Sequence, residues 1–263
     1  MNVFMYELKA IRKSTLIWTG ALVVLVVFFM SMFPAITKEI EEFKKLLAGF
    51  PEGVRAALGI QIDTIGSVVG FYSYTFVYIT LCGAIQAMNL GISIGSKEVR
   101  EKTADFLFTK PIARRKILGS KLLASLTSLV FTNIIFITAA TIMANAIKNE
   151  AYSTEVFMLI SLSLFYLQLI FLALGIIVSV LFSKIKSVVS VSLGIVFMFF
   201  VIGMVAASDD VGRYFTPFKY FDNAYIMQNS SYEWSYIITG LGIMIISLVA
   251  SYILYLKKDI HTV

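Results

Sequence analysis

The stretch VFMLISLSLFYLQLIFLALGIIVSVLFS (156–183) decides the fold class, because it contains no Asp, Glu, Lys or Arg. A helix that rises 1.5 Å per residue needs about 20 apolar residues to cross the hydrocarbon core of a bilayer. This stretch reaches that length and therefore predicts a transmembrane helix. The whole chain of 263 residues is 59% apolar and only 14% charged. Because a soluble domain carries about 25% charged residues, a water-soluble globule is excluded.

Apolar runs of similar length recur along the chain. They assign six spans, at about 15–36, 66–95, 117–147, 156–182, 188–207 and 234–256. We therefore predict an all-α integral membrane protein that forms a single transmembrane domain over 1–263. Ionisable side chains are expected only in the connections between spans. The first span lacks a small-x-small cleavage site at its exit, so we interpret it as a retained span rather than a signal peptide.

The distribution of charge predicts the orientation in the membrane. Fifteen of the 22 Lys and Arg residues lie in the terminal segments and in the connections 97–121 and 184–186, whereas eleven of the 16 Asp and Glu residues lie in the other connections. Basic residues accumulate on the cytoplasmic side of membrane proteins, so both termini are expected in the cytoplasm. The net charge of +6 is then a topology signal, and nucleic acid is not expected as a partner.

Few residues are available for catalytic or metal chemistry. One cysteine (Cys82) and one histidine (His261) exclude a disulfide framework and a cysteine-built metal site. The strings GISIGSK (91–97) and ILGSK (117–121) lack the Gly-Lys-Ser/Thr spacing that cradles a nucleotide phosphate. We therefore expect no cofactor, metal or enzymatic activity on this chain. Proton coupling is also disfavoured, because it usually requires ionisable side chains inside the bilayer.

Three connections carry a helical or aromatic pattern. Residues 1–13 place apolar and charged residues on different faces, which predicts an amphipathic helix on the inner membrane surface; a frayed basic segment is the alternative. Residues 38–59 predict a short interfacial helix that is broken near Gly49–Pro51. Residues 208–233 are rich in aromatic residues, which are favoured at the membrane interface. They predict an extracellular, re-entrant cap before the last span.

The connection GSKEVREKTADFLFTKPIARRKILGSK (95–121) is the most informative. Its acidic residues come first, an apolar group at Phe106–Phe108 follows, and basic residues crowd after Pro111. We predict a helix from about 97 to 108 that ends before the proline. Such a helix presents an apolar and charged surface on which a cytoplasmic partner can dock. The alternative is a solvated loop whose arginines only enforce topology.

Mild polarity inside two spans is also patterned. The polar residues of the second span fall on one helical face and are Thr75, Tyr78, Cys82, Gln86 and Asn89. The fifth span carries a stripe of small residues, namely Ser187, Ser190 and Gly194. Both faces fit either a pathway for an apolar or amphipathic cargo or contacts between helices, and both interpretations stay open. Asn133, isolated in the third span, is interpreted as structural.

The connection 95–121 resembles the cytoplasmic loop of the type-2 family of ABC exporter permeases. In that family an acidic helix leads into Thr-Leu, then Pro-(Ile/Val)-Ser-Arg, then Gly-Lys. The matching residues are Glu98, Glu101, Thr103, Leu107, Pro111, Ile112, Arg114, Gly119 and Lys121. Ala104 and Ala113 stand where Leu and Ser are usual. The strings TPFKYFD (216–222) and YLKKDI (255–260) are similar to stretches that the family places before and after its last span.

The resemblance implies a half-transporter of a bacterial or archaeal cell membrane. Two six-span subunits, identical or paralogous, would enclose a pathway in the lipid, and two copies of an ABC ATPase subunit, which carry ATP and magnesium, would dock beneath them. The coupling segment (96–116) would contact the ATPase through Glu98, Glu101, Thr103, Phe106, Leu107 and Arg114. The second and fifth spans would line the pathway, with Thr75, Tyr78, Gln86, Asn89, Ser190 and Gly194 as candidates.

The predicted function is the export of a hydrophobic or amphipathic substrate, such as a peptide, an antibiotic or a lipid-like molecule. A separate ATPase subunit would drive it. Two alternatives stay open. One is a sodium-extruding permease with the same architecture, and the other is a non-transporting membrane receptor or scaffold that docks a cytoplasmic partner.

Overall fold

The computed structural model describes residues 3–100, 114–148, 150–182, 185–206 and 210–257. Within these ranges every regular element is helical. The α-helices are α1 (Val3–Lys38), α2 (Ile40–Ala48), α3 (Glu52–Ala57), α4 (Val68–Arg100), α5 (Arg114–Ile147), α6 (Thr154–Leu181), α7 (Val188–Val205), α8 (Asp210–Arg213), α9 (Asn223–Asn229) and α10 (Trp234–Lys257). A 3-10 turn spans Pro217–Lys219.

Six of the described helices are long and apolar enough to cross a membrane: α1, α4, α5, α6, α7 and α10. This confirms the predicted all-α membrane fold, and the chain is a multi-pass membrane protein. Helices α1, α4 and α5 contain 36, 33 and 34 residues. At about 50 Å each, they exceed a hydrocarbon core of about 30 Å. Six crossings place the beginning of α1 and the end of α10 on the same side, which we name the terminal side; the opposite side is the distal side.

Helices α4 and α6 form the centre of the fold, where glycines let their backbones meet. A Cβ atom added to Gly91 would lie 2.5 Å from the backbone oxygen of Leu172 and 3.0 Å from the Cα atom of Gly175. A Cβ atom on Gly95 would overlap the side chain of Ser179. Gly91 and Gly95 therefore have the small-xxx-small spacing of closely packed membrane helices. The string GISIGSK (91–97) thus has a packing role.

The remaining spans differ in how much of their surface this chain covers. In the apolar windows of α4 and α6, 67% and 61% of the residues are buried, followed by 39% in α5 and 28% in α1. In α7 and α10 the buried share is 17% each. Helices α1, α4, α5 and α6 therefore form a four-helix core. Most residues in the apolar windows of α7 and α10 are not buried by this chain.

The interfacial helix predicted over residues 1–13 is not confirmed as a separate element. Helix α1 runs without a break from Val3 into the first span. No proline or glycine stands near the expected junction, and the Thr15 hydroxyl donates a hydrogen bond to the Ile11 carbonyl within the helix, at 3.1 Å. The short helix predicted between 38 and 59 is present as α2 and ends at Gly49.

Candidate functional site

The residues predicted to contact an ATPase lie outside the described side chains. Helix α4 continues to Arg100 and α5 begins at Arg114, so the connection between them is described only at its two ends. Of the predicted contacts, Glu98 and Arg114 are described in their backbone alone, and outside the described residues lie Glu101, Thr103, Phe106 and Leu107. The coupling role of these six residues stays a prediction.

The end of α4 that enters the coupling segment is tied to α1 by an ion pair. The Lys97 ammonium donates to a Glu7 carboxylate oxygen at 2.9 Å, and the two side chains are 15% and 6% exposed. The same ammonium lies 4.8 Å from the ring centroid of Tyr6, a cation–π contact. Because the pair is shielded from water, solvent and salt weaken it less than a surface pair.

A second lysine ties the same end of α4 to α5, and it corrects the sequence analysis. Lys121 lies inside the span Lys116–Ile147 and is 1% exposed, so the expectation that every ionisable side chain lies outside the spans was wrong. Its ammonium donates to the carbonyl oxygen of Ile94 at 2.8 Å. A carbonyl has two lone pairs, so this oxygen can accept a donor from a neighbouring helix. These contacts with α1 and α5 therefore fix the direction in which α4 leaves the core.

A buried network of polar side chains joins the four helices of the core. The Gln86 amide donates to the Thr132 hydroxyl at 3.1 Å and accepts from Gln168 at 3.0 Å. The Thr132 hydroxyl also bonds to that of Thr19 at 2.8 Å, and Asn133 donates to Gln168 at 2.6 Å. Of the two interpretations of Gln86, pathway lining or contacts between helices, its hydrogen bonds support the contacts between helices. Asn133 is structural, as predicted, but it is not isolated, because its partner lies 35 residues further along the chain.

The other predicted lining residues of α4 lie within or beside this core. Thr75 is fully buried, and its hydroxyl donates to the Tyr72 carbonyl at 3.0 Å. Tyr78 stacks on Phe29 of α1, with ring centroids 5.4 Å apart. Asn89 is partly buried. Their roles as pathway lining stay predictions.

The predicted lining residues of α7 have the opposite environment. Ser190 and Gly194 are exposed, and a Cβ atom added to Gly194 would meet no described atom within 4 Å. Ser187 precedes the helix and caps it, since its hydroxyl accepts from the Ser190 amide at 3.3 Å. Within one chain, the predicted α4 residues are therefore covered, whereas those of α7 face outward.

The predicted cap is an ordered, folded-back segment on the distal side. The Thr216 hydroxyl donates to the Phe199 carbonyl at 2.7 Å, well before α7 ends at Val205, so the segment descends alongside the helix. Arg213 forms an ion pair with Glu233 and lies 4.1 Å over the ring of Tyr236. The fold-back joins the ends of α7 and α10. Its extracellular location stays a prediction.

Burial shapes the ionisation of the cap. Burial lowers the pKa of Lys219, the nearby charge of Arg213 lowers it further, and Asp222 partly opposes both. Burial also lowers the pKa of Arg213, but the bond to Glu233 and that carboxylate's charge outweigh it, so the pKa lies above its ordinary value. Burial raises the pKa of Tyr220 to about 12. The Tyr220 hydroxyl donates to the Tyr214 carbonyl at 2.7 Å.

A cavity of about 440 Å³ lies between the cap, the distal parts of α4 and α6, and α3 with the segment that follows it. Its charged lining residues are Arg55, Arg213, Lys219 and Asp222. Sequence reasoning missed this site because Arg55 comes from the connection before α4 and the others come from the cap. No local motif joins them, and only the fold brings them together.

Comparison with known proteins agrees with this architecture. A family model described as ABC-2 family transporter protein matches residues 1–260, almost the whole chain. A search among curated proteins gives no match. Membership in that family implies a membrane permease that associates with an ABC ATPase and is typically non-catalytic itself. With six apolar helices in its described part and a match over residues 1–260, the chain belongs to the ABC-2 family of transporter proteins.

Proposed function

We propose that this permease exports a hydrophobic or amphipathic substrate, such as a peptide, an antibiotic or a lipid-like molecule, out of a bacterial or archaeal cell. ATP hydrolysis on a separate ABC ATPase would drive it. The observation that carries the proposal is the ABC-2 family match over residues 1–260 of a chain with six apolar spanning helices.

The character of the spans supports an apolar or amphipathic cargo. Lys121, which is 1% exposed, bonds to the Ile94 carbonyl of a neighbouring helix. Gln86 and Gln168 bond to each other. Stripping water from a small ion costs several kcal/mol unless oxygens replace it. Because these polar groups already bond within the chain, an apolar cargo is favoured over a small ion.

The exposed helices support an assembly of two permease subunits with two ATPases. The apolar window of α7 is only 17% buried, and Ser190 and Gly194 lie on its outer surface. In a dimer, identical or paralogous, these residues would face the second subunit or the pathway, and lipid would cover the rest. The terminal side, with its basic residues, would face the cytoplasm.

The ties at the end of α4 suggest how ATPase movement would reach the membrane. A force on the coupling segment (96–116) would act on α4 and α5 together. The Lys97–Glu7 pair and the Lys121–Ile94 bond would pass it to α1 and to the core. The core would then move as one body relative to its dimer partner, giving alternating access to the two sides.

The test uses the permease co-purified with its ATPase and reconstituted into liposomes. Reversing two charges of the coupling segment, Glu98→Lys with Glu101→Lys, should abolish substrate-dependent ATP hydrolysis and transport while membrane insertion is retained. The matched control, Glu41→Lys with Glu42→Lys, reverses two acidic charges of α2 on the distal side. It should leave the coupling between ATP hydrolysis and transport intact.

Three results would overturn the proposal. Unchanged coupling in the Glu98/Glu101 variant would remove the ATPase contact. ATP-driven sodium efflux without any other substrate would identify a sodium permease. Binding of a cytoplasmic partner without any ATP-dependent flux would identify a receptor or scaffold.

A further inference from the structure

We propose that the cavity beneath the cap binds the anionic headgroup of an amphiphile, with Arg55 as its principal contact. The site is distinct from the coupling segment and from the predicted pathway residues. Its walls come from two connections that are far apart in sequence and from the distal parts of α4 and α6.

Among the described residues around the cavity, one cation has no counter-charge. Arg213 is paired with Glu233. Asp222 lies beside Lys219, and its carboxylate accepts a hydrogen bond from the Ala224 amide at 2.9 Å. Arg55 makes no hydrogen bond or ion pair with its side chain in the part of the chain that the structure describes. The site therefore has an excess of positive charge, centred on Arg55.

Arg55 destabilises the fold when no anion is bound beside it. Its side chain is only partly exposed, and its Nε atom is buried without a hydrogen-bond partner among the residues that the structure describes. A buried donor without an acceptor destabilises the fold, and the penalty is larger for a charged group. An anionic oxygen in the cavity would neutralise the guanidinium charge and accept from its outer N–H groups. Arg55 is thus poised for a ligand rather than for a partner within the chain.

The rest of the lining selects an amphiphile. Phe76, Val77 and Leu167 line the cavity from α4 and α6, and Phe218 and Phe221 line it from the cap. A volume of about 440 Å³ lies within the range of small-molecule sites. An anionic head beside Arg55, with an apolar group against these side chains, satisfies both parts of the lining. A compact hydrated anion would leave the apolar part unused.

Two sources can supply such a ligand. One is an anionic lipid of the surrounding leaflet, which would hold the cap in place. The other is the transported cargo, caught at the distal end of its path; this second source rests on the proposed function.

Binding is tested on the full chain, purified in neutral detergent, with two probes that share the same acyl chains. Dioctanoyl phosphatidylglycerol is anionic and dioctanoyl phosphatidylcholine is zwitterionic. We expect the anionic probe to bind about tenfold more tightly, the value of one charge-assisted hydrogen bond, as measured by native mass spectrometry and by the rise in Tm. Arg55→Gln should remove this preference, and Arg55→Lys should keep most of it. Lys148→Gln, which removes an exposed lysine, is the matched control and should have no effect.

Equal affinity of the unsubstituted chain for the two probes would overturn the proposal, whatever the variants do. So would an unchanged preference in a folded Arg55→Gln chain. If Arg55→Gln does not fold, Arg55→Met takes its place, and an unchanged preference in a folded Arg55→Met chain would count against Arg55 as the contact.

The source is decided with the ATPase complex in liposomes and labelled dioctanoyl phosphatidylglycerol. ATP-dependent movement of the probe across the membrane assigns the cavity to cargo, whereas binding without movement assigns it to a resident lipid. If labelled dioctanoyl phosphatidylglycerol does not bind but another substrate is still transported, the cavity site alone is refuted. If the labelled probe binds but no substrate is transported, only the proposed function is refuted.

Discussion

The four-helix core and the two outer helices use similar residues for different purposes. In the core, Gly91 and Gly175 bring the backbones of α4 and α6 together, and Gln86 and Gln168 join helices through hydrogen bonds. On α7, a Cβ atom added to Gly194 would meet nothing within 4 Å in the described part of the chain. A small or polar residue in a span therefore has no fixed structural role. Its role depends on whether its helix is enclosed by its own chain or lies on the outside of that chain.

The largest effect is expected from adding one methyl group at the core contact. Gly91→Ala should lower the free energy of unfolding by about 2–3 kcal/mol, because the new Cβ atom would overlap backbone atoms that cannot rotate away. Unfolding in mixed detergent micelles measures the loss.

Gly194→Ala is the matched control on α7. It should leave stability unchanged or raise it by up to about 1 kcal/mol, since alanine favours a helix over glycine. Equal losses in the two variants would erase the distinction between the enclosed and the outer helices.

An intermediate effect is expected at the ion pair that joins α1 to α4. Glu7→Gln should cost about 2 kcal/mol, because it leaves the shielded Lys97 ammonium without its counter-charge. The Glu41–Lys44 pair of α2 has side chains 77% and 31% exposed. Glu41→Gln should therefore cost less than about 0.5 kcal/mol. Thermal melting of both variants at two salt concentrations checks the difference, and a larger loss for Glu41→Gln would show that shielding does not matter here.

The smallest effect is expected in the buried polar network. Gln168→Leu removes the bonds to Gln86 and Asn133 and should cost about 1 kcal/mol, since hydrogen bonds between membrane helices average about 0.6 kcal/mol each. Ser190→Ala on the outer surface of α7 should be neutral. A double-mutant cycle between positions 86 and 168 measures the coupling directly. No coupling would mean that the network only avoids unpaired polar groups.

The number and places of the spans could be predicted from the sequence, because hydropathy over about 20 residues is a local property. The partners of buried groups could not. Gly91 meets Gly175, Gln86 meets Gln168, and Lys121 meets a backbone oxygen of another helix. Each pair is far apart in sequence, and no periodicity within one span reveals it.

The two proposed functional surfaces also differ in whether a local sequence motif marks them. The coupling segment has a local motif, so its resemblance to a known family was recognisable from the residues alone. The cavity under the cap has none, because Arg55 and Arg213 come from different connections. The aromatic composition of residues 208–233 predicted a cap, whereas the descent of this segment along α7 through Thr216 depends on tertiary contacts.

The shortness of α7 has a consequence for the surrounding lipid. Its 18 residues span about 27 Å, slightly less than an average hydrocarbon core, and the chain beyond it turns back toward the membrane. Non-helical backbone is tolerated at that depth because neighbouring helices shield it and satisfy its polar groups. The bilayer beside α7 is therefore expected to be locally compressed. Acyl chains of different length should then shift the equilibrium between conformations of the assembled protein, through hydrophobic mismatch.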